Sequence, residues 1–262
     1  MDLLAPYQFL NNRIENNPEI AIVLGSGLGE FVGIIKNQHV FEFSDIPGFC
    51  IPSVQGHSGR LIFGTIHGKQ IVCAQGRFHL YEGLELEEVV FPIHLFKKLG
   101  CKNIIITNSS GCLRKEWNLG GFMHISFILD FTFRDATKPL KTKINNSMDI
   151  NSIKQFGEMN NIEIYDGCYS WTLGPTYETP SEIMEIRGNG GDAVGMSTFP
   201  EIKTALEIGI NVIGIACLTN YASGITNTPL THQEVVSTAE KAKLKFCKLI
   251  EHIINNIKIK GS

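Results

Sequence analysis

Three stretches gather side chains suited to holding an anion beside a sugar. In Gln75-Gly76-Arg77-Phe78-His79-Leu80-Tyr81-Glu82-Gly83, extended chain puts Arg77, His79 and Tyr81 on one side at a period of two. A guanidinium binds phosphate bidentately and a phenol bonds sugar hydroxyls, so this side suits a phosphate next to a polyol. A half-exposed edge strand would show the same alternation. Gly25-Ser26-Gly27-Leu28-Gly29 follows the run at 20–24 (Ile-Ala-Ile-Val-Leu), and its glycines let backbone N–H groups approach an anion. The G-x-G-x-G spacing is not the dinucleotide G-x-G-x-x-G, and no acidic residue about 20 positions on ends a second strand. A tight turn and a phosphate cradle using Ser26 therefore both stand ahead of a nucleotide cofactor. Gly56-His57-Ser58-Gly59-Arg60 is a polar turn in which a lone histidine reads first as a solvated loop residue.

Small and polar residues recur after strand-like runs. The run at 103–107 leads into Asn108-Ser109-Ser110-Gly111, at the carboxyl end of a strand, where ligands sit in open α/β sheets. Ser109 there offers backbone and hydroxyl hydrogens. Met196-Ser197-Thr198 and Thr219-Asn220 hold equivalent positions, and a helix starting beside Ser197 would add a positive dipole end. Gly174-Pro175-Thr176-Tyr177-Glu178-Thr179 supplies a ring to stack on a base and a carboxylate to accept its N–H groups. Glu178 is equally well read as a first-turn helix charge.

The elements that must position these residues alternate. Ile- and Val-rich runs at 20–24, 70–74, 103–107, 192–196 and 211–218 suit strands buried on both faces, with helical patterns at 84–99, 151–160, 180–190, 199–208 and 231–257. That order predicts one α/β domain over 1–262, a central mixed sheet flanked by helices. Thr179, Thr198 and Thr231 each precede a glutamate by three residues and read as helix N-caps. The last helix keeps Ala239, Ala242, Phe246, Leu249, Ile250 and Ile253 on a shared apolar face. The polar, Asn- and Lys-rich segment 131–165 reads as a divergent surface excursion.

Among 262 residues, 23 Lys and Arg against 26 Asp and Glu give a net charge of −3 with no basic block, which argues against nucleic acid or an anionic membrane as partner. The N-terminus lacks a signal peptide's basic and apolar regions, and no apolar run reaches the roughly 20 residues of a spanning helix, so a cytoplasmic protein is expected. Seven scattered cysteines without a C-x-x-C pair predict buried free thiols rather than disulfides or a zinc site.

Taken in order, the glycine loop at 25–29, His57-Ser58-Gly59, the 76–83 stretch, the 174–179 stretch, Gly195-Met196-Ser197-Thr198 and Thr219-Asn220 resemble the trimeric purine nucleoside phosphorylases. The resemblance spans about 20–111 and 165–250. It implies a homotrimer without metal or organic cofactor, inorganic phosphate as co-substrate, and purine salvage as the setting. By position it assigns Ser26, His57, Arg77, His79, Ser109 and Ser197 to phosphate, Tyr81, Met196 and His232 to ribose, and Tyr177, Glu178 and Asn220 to the base. Asn220, His57 and Arg77 would carry catalysis. The Glu178 and Asn220 pair implies 6-oxopurine (deoxy)ribonucleosides such as inosine and guanosine, split to the free base and (deoxy)ribose 1-phosphate.

The chain also departs from that family. Asn108-Ser109-Ser110-Gly111-Cys112 stands for the usual Asn-Ala-Ala-Gly-Gly, with Cys112 awkward if its φ must be positive. Ser126-Phe127-Ile128-Leu129-Asp130 replaces a Ser-Asp-His-Ile-Asn stretch, and the following loop, which in the family lends a phenylalanine to the neighbouring subunit, offers Phe131 and Phe133. Such changes leave a xanthosine preference and a non-catalytic nucleoside-binding relative as alternatives.

Overall fold

The computed structural model describes residues 2–51, 58–134, 137–144, 148–226 and 232–257, with side chains of the last segment from 237 onward. In chain order its strands and α-helices are α1 (Leu4–Asn11), β1 (Ile20–Val23), β2 (Lys36–Glu42), β3 (Arg60–Ile66), β4 (Lys69–Gln75), α2 (Leu86–Val89), α3 (Phe91–Leu99), β5 (Asn103–Cys112), β6 (Phe122–Asp130), β7 (Leu140–Lys143), α4 (Ile150–Met159), β8 (Ile164–Trp171), α5 (Pro180–Gly188), β9 (Ala193–Gly195), α6 (Phe199–Glu207), β10 (Asn211–Tyr221) and α7 (His232–Asn256). The five apolar runs named from the sequence all become strands, because each is buried along most of its length between helices.

The strands form one mixed sheet in the order β10-β6-β8-β9-β5-β1-β4-β3-β2, with β7 on β6 and a further pairing of β10 with β5. That last pairing closes β5, β10, β6, β8 and β9 into a ring, leaving β1, β4, β3 and β2 as an open wing. In the wing, β1 lies parallel to both β4 and β5 and places the 25–29 loop beside the end of β5. On one face of the sheet α7 buries Phe246, Leu249, Ile250 and Ile253 against Ile20, Ile22, Ile213 and Ile215, and Ala239 and Ala242 are buried with it.

Segment 131–165 is more integrated than a surface excursion. β7, exposed throughout, adds to the edge of β6, while α4 buries Ile153 and Gly157 and contributes to the α7 side of the core. A stripe of two or three apolar residues in a polar helix is enough to dock it. Phe131 is buried beside Leu129 and Ile183, and Phe133, half exposed, meets its ring edge-on at 5.0 Å.

Thr179 is a true cap: Glu182 N–H donates to its hydroxyl, while Glu182 returns a carboxylate oxygen to the Thr179 N–H. Thr198 is not, since its side chain caps nothing and its backbone holds φ +73°. Thr231 and Glu234 have no described side chains, so that third expectation lies outside the described residues. Cys112 sits in extended chain in β5, paired with Ala193 and Tyr221, so the expected strain does not arise. The seven cysteines are free thiols, five of them buried, and burial pushes the thiols of Cys112, Cys168 and Cys217 up to about 11, 12 and 12. Among the described residues no helix is long and apolar enough to cross a membrane.

Candidate active site

A cavity of about 410 Å³ opens where the ends of β5, β9 and β10 meet the segments after β1, β4 and β8. Ser26, Arg77, His79, Tyr81, Ser109, Tyr177, Glu178, Met196, Ser197 and Asn220 all line it. His57 lies outside the described residues, and so does the side chain of His232, whose backbone opens α7.

One end is tightly cross-bonded. A Cβ at Gly25 would meet Asn108 Cα at 2.5 Å, so only glycine lets the loop lie this close to β5. The Gly25 N–H donates to Thr107 Oγ1 at 3.1 Å, and the Ser109 hydroxyl donates to Ser26 O at 2.7 Å. In this structure the Ser109 hydroxyl proton fastens the glycine loop to β5.

Arg77 is buried, and the bidentate partner of its guanidinium is Glu201, with Nη2 2.7 Å from Oε2 and Nε 3.3 Å from Oε1. Nη1 donates to Thr107 O at 2.7 Å and to Ser197 Oγ at 3.2 Å. A buried guanidinium needs a counter-charge, so the fork expected to face phosphate is spent on Glu201. Arg77 and Ser197 line the cavity together, joined through Nη1 in one rigid, charge-paired group.

Arg77 lies two residues past the end of β4, and Leu80–Glu82 forms a 3₁₀ turn that brings Tyr81 back over His79 in place of the expected period of two, their rings stacked at 4.7 Å. Glu82 fixes the histidine, its Oε1 lying 3.0 Å from His79 Nδ1 and accepting the His79 N–H at 2.9 Å. An adjacent carboxylate makes Nδ1 the protonated nitrogen. Burial, then Glu82, raises the Tyr81 phenol to about 12, so it stays a hydrogen-bond donor.

Ser197 is held by Tyr169, whose buried hydroxyl donates to Ser197 O at 2.9 Å. Thr198 accepts from Asn108 Nδ2 at 2.9 Å, and its left-handed backbone, worth about 1–3 kcal/mol of strain for a β-branched residue, turns the chain from β9 into α6 directly behind Ser197.

At the other end, β10 breaks register with β5 between Leu218 and Asn220, and such a bulge re-aims a side chain. Asn220 is thereby turned to the cavity, its Oδ1 accepting from Thr219 Oγ1 at 2.9 Å and its Nδ2 donating to Tyr221 O at 3.1 Å. Glu178 precedes α5, accepts from Thr172 Oγ1, and has its carboxyl raised above the usual range by burial, offset in part by that hydrogen bond. Tyr177 is 45% exposed at the rim. A Cβ on Gly174 would strike Met196 and Tyr81, so this φ +72° glycine lets the 174–178 loop close on both.

The phosphorylase superfamily model matches residues 19–255. A purine nucleoside phosphorylase of Bacillus subtilis is 37% identical over 260 residues, 94% of this chain and 95% of its own. The chain belongs to the purine nucleoside phosphorylases. Its fold agrees: the Schistosoma mansoni purine nucleoside phosphorylase in complex with adenosine superposes with a TM-score of 0.87 at 30% identity, covering 98% of this chain and 97% of that one. The same protein in complex with inosine gives 0.87 and 30%, with 98% and 96% covered.

As a purine nucleoside phosphorylase the chain is a pentosyltransferase, and its cavity holds more than the sequence disclosed. Tyr169, Glu201, Thr172, Asn108 and Thr219 all bond residues that the sequence motifs contain, and no local motif marks them for that role. Glu201 and Thr198 gave a signal that resembled a capping box, and that masked their part in the site. Tyr169 sits in a strand whose polar start hid it from an apolar-run reading.

Proposed function

We propose that this phosphorylase acts on 6-oxopurine nucleosides such as inosine and guanosine, with phosphate at the Ser26, His79, Ser109 and Ser197 end, ribose at Tyr81 and Met196, and base against Tyr177, Glu178 and Asn220. His57 and His232 belong to the phosphate and ribose groups by resemblance. Glu178 carries the reading: an acceptor-only carboxylate in the same cavity as Asn220 suits a ring that presents N1–H, with a 2-amino group in guanosine, and an acceptor at O6. Relatives solved with inosine and with adenosine support a purine nucleoside in this cavity.

Phosphate attacks C1′ as the glycosidic bond breaks through an oxocarbenium-like transition state, with no covalent enzyme intermediate. The chain's contribution is then positioning and electrostatics. Arg77, neutralised by Glu201 and locked to Thr107, orients Ser197 toward the anion and adds a fixed N–H edge. The phosphate charge sits beneath the developing cation, and Asn220 stabilises the charge that collects on the departing purine. The functional unit is a homotrimer, with exposed Phe133 rather than buried Phe131 available to a neighbour.

Base release from inosine, guanosine, xanthosine, adenosine and methylthioadenosine, with and without inorganic phosphate, tests this. Phosphate-dependent release chiefly from inosine and guanosine is expected, with adenosine cleaved only at a residual rate. Comparable cleavage of adenosine sinks the Glu178 assignment, and faster xanthosine cleavage replaces the preferred substrate. Sedimentation at micromolar concentration checks the trimer.

A further inference from the structure

Thr172 lies one residue past the end of β8, and its N–H donates to Gly195 O at 3.0 Å, so its position is set by the sheet rather than by a loop. Its hydroxyl reaches the Glu178 carboxylate at Oε1 and has Gly195 O at 3.5 Å as a second, more distant acceptor. A hydroxyl with one proton, facing a carboxylate, donates to it and thereby favours its ionised, acceptor-only form. It also fixes one carboxylate oxygen, Oε1, to the end of β8.

We propose that Thr172 is a specificity-positioning residue, holding Glu178 ionised and oriented so that the site accepts a purine carrying N1–H and rejects one whose N1 is itself an acceptor. This rests on Glu178 meeting the base. A 6-aminopurine would set two acceptors against each other, and a site built around one donor pattern discriminates strongly against the ligand lacking it. Burial works in the other direction, raising the Glu178 carboxyl, and Glu182 one turn into α5 adds to that rise. The other titratable groups around it are Tyr177 beside it and Arg77, His79 and Tyr81 across the cavity. The threonine hydroxyl is the larger of two hydrogen bonds that offset burial, the other coming from the backbone N–H of Glu178 itself.

The test compares Thr172→Val, Thr172→Ser and Glu178→Gln in the full chain, measuring kcat/KM for inosine and adenosine from pH 5.5 to 8.5 with saturating phosphate. Thr172→Val should lower kcat/KM for inosine about ten-fold, leave adenosine unchanged or slightly faster, and move the acid limb of the inosine profile up by about one pH unit. Thr172→Ser should restore both the rate and the limb. An equal loss on both nucleosides, or an unmoved limb in Thr172→Val, overturns the proposal in favour of a structural role. If Glu178→Gln collapses inosine turnover while Thr172→Val matches the parent, this inference alone fails. If Glu178→Gln also matches the parent, the reading of the base site fails with it.

Discussion

The two ends of the cavity are built differently. Around Arg77, nearly every polar atom is spent on the protein: the guanidinium on Glu201 and Thr107, Ser109 on the glycine loop, and His79 on Glu82. Around Tyr177 and Glu178 the side chains are more exposed and come from the 174–178 loop, steadied mainly by Thr172 and by contact with Met196 and Tyr81. The first end is costly to assemble and rigid once made, as fits a site whose task is fixed charge. The second, held by fewer contacts, is cheaper to alter.

Substitutions at the two ends should therefore differ in kind. The largest effect is expected for Glu201→Gln, which leaves the Arg77 guanidinium buried without a counter-charge and should cost about 3–5 kcal/mol of stability. Chemical denaturation measures it, and added inorganic phosphate should restore part of the loss by binding the folded state. No change in midpoint would mean that the charged end is not held by this pair. Next comes Asn220→Ala, expected to lower kcat/KM for inosine by about 10² or more while the folded state survives. An unchanged value removes Asn220 from the transition state.

A smaller effect is set by pH. Burial raises the Glu178 carboxyl, so protonation begins at higher pH than for an ordinary glutamate, and the protonated group no longer accepts from N1–H. On the acid side, kcat/KM for inosine should therefore fall about ten-fold per pH unit below that raised pKa. A profile flat down to pH 4.5 would show the carboxyl unshifted. The smallest is Tyr177→Ala, where loss of a half-exposed ring should raise KM about five-fold and leave kcat alone. A fall in kcat instead would place the rim residue in the chemistry.

The same Thr-x-x-Glu spacing occurs at 179–182 and at 198–201, and only the first is a capping box. Local sequence carried the pattern in both places. What decided between them is Arg77, 124 positions before Glu201, whose buried charge claimed that carboxylate. Strands such as Ile20–Val23, buried along their length, announced themselves by composition, and the six ordered motifs located most of the cavity lining. β2 (burial falling wholly on the exposed side until its last two residues), β7 and the polar start of β8 had no such signature, because edge pairing and ring closure are set by partners far along the chain. The roles of Tyr169 and Thr172 follow from that ring and were invisible for the same reason.

The closed ring has a consequence for how the protein is made and lost. β10 is paired with β5 on one side and β6 on the other, so residues 211–221 complete both the ring and the cavity wall that carries Asn220. Until that strand is in place there is no cavity, however well the earlier wing has formed. Such distant pairing is slow to find. Nucleoside affinity should therefore emerge late and abruptly during refolding, and vanish together with the global unfolding transition rather than before it.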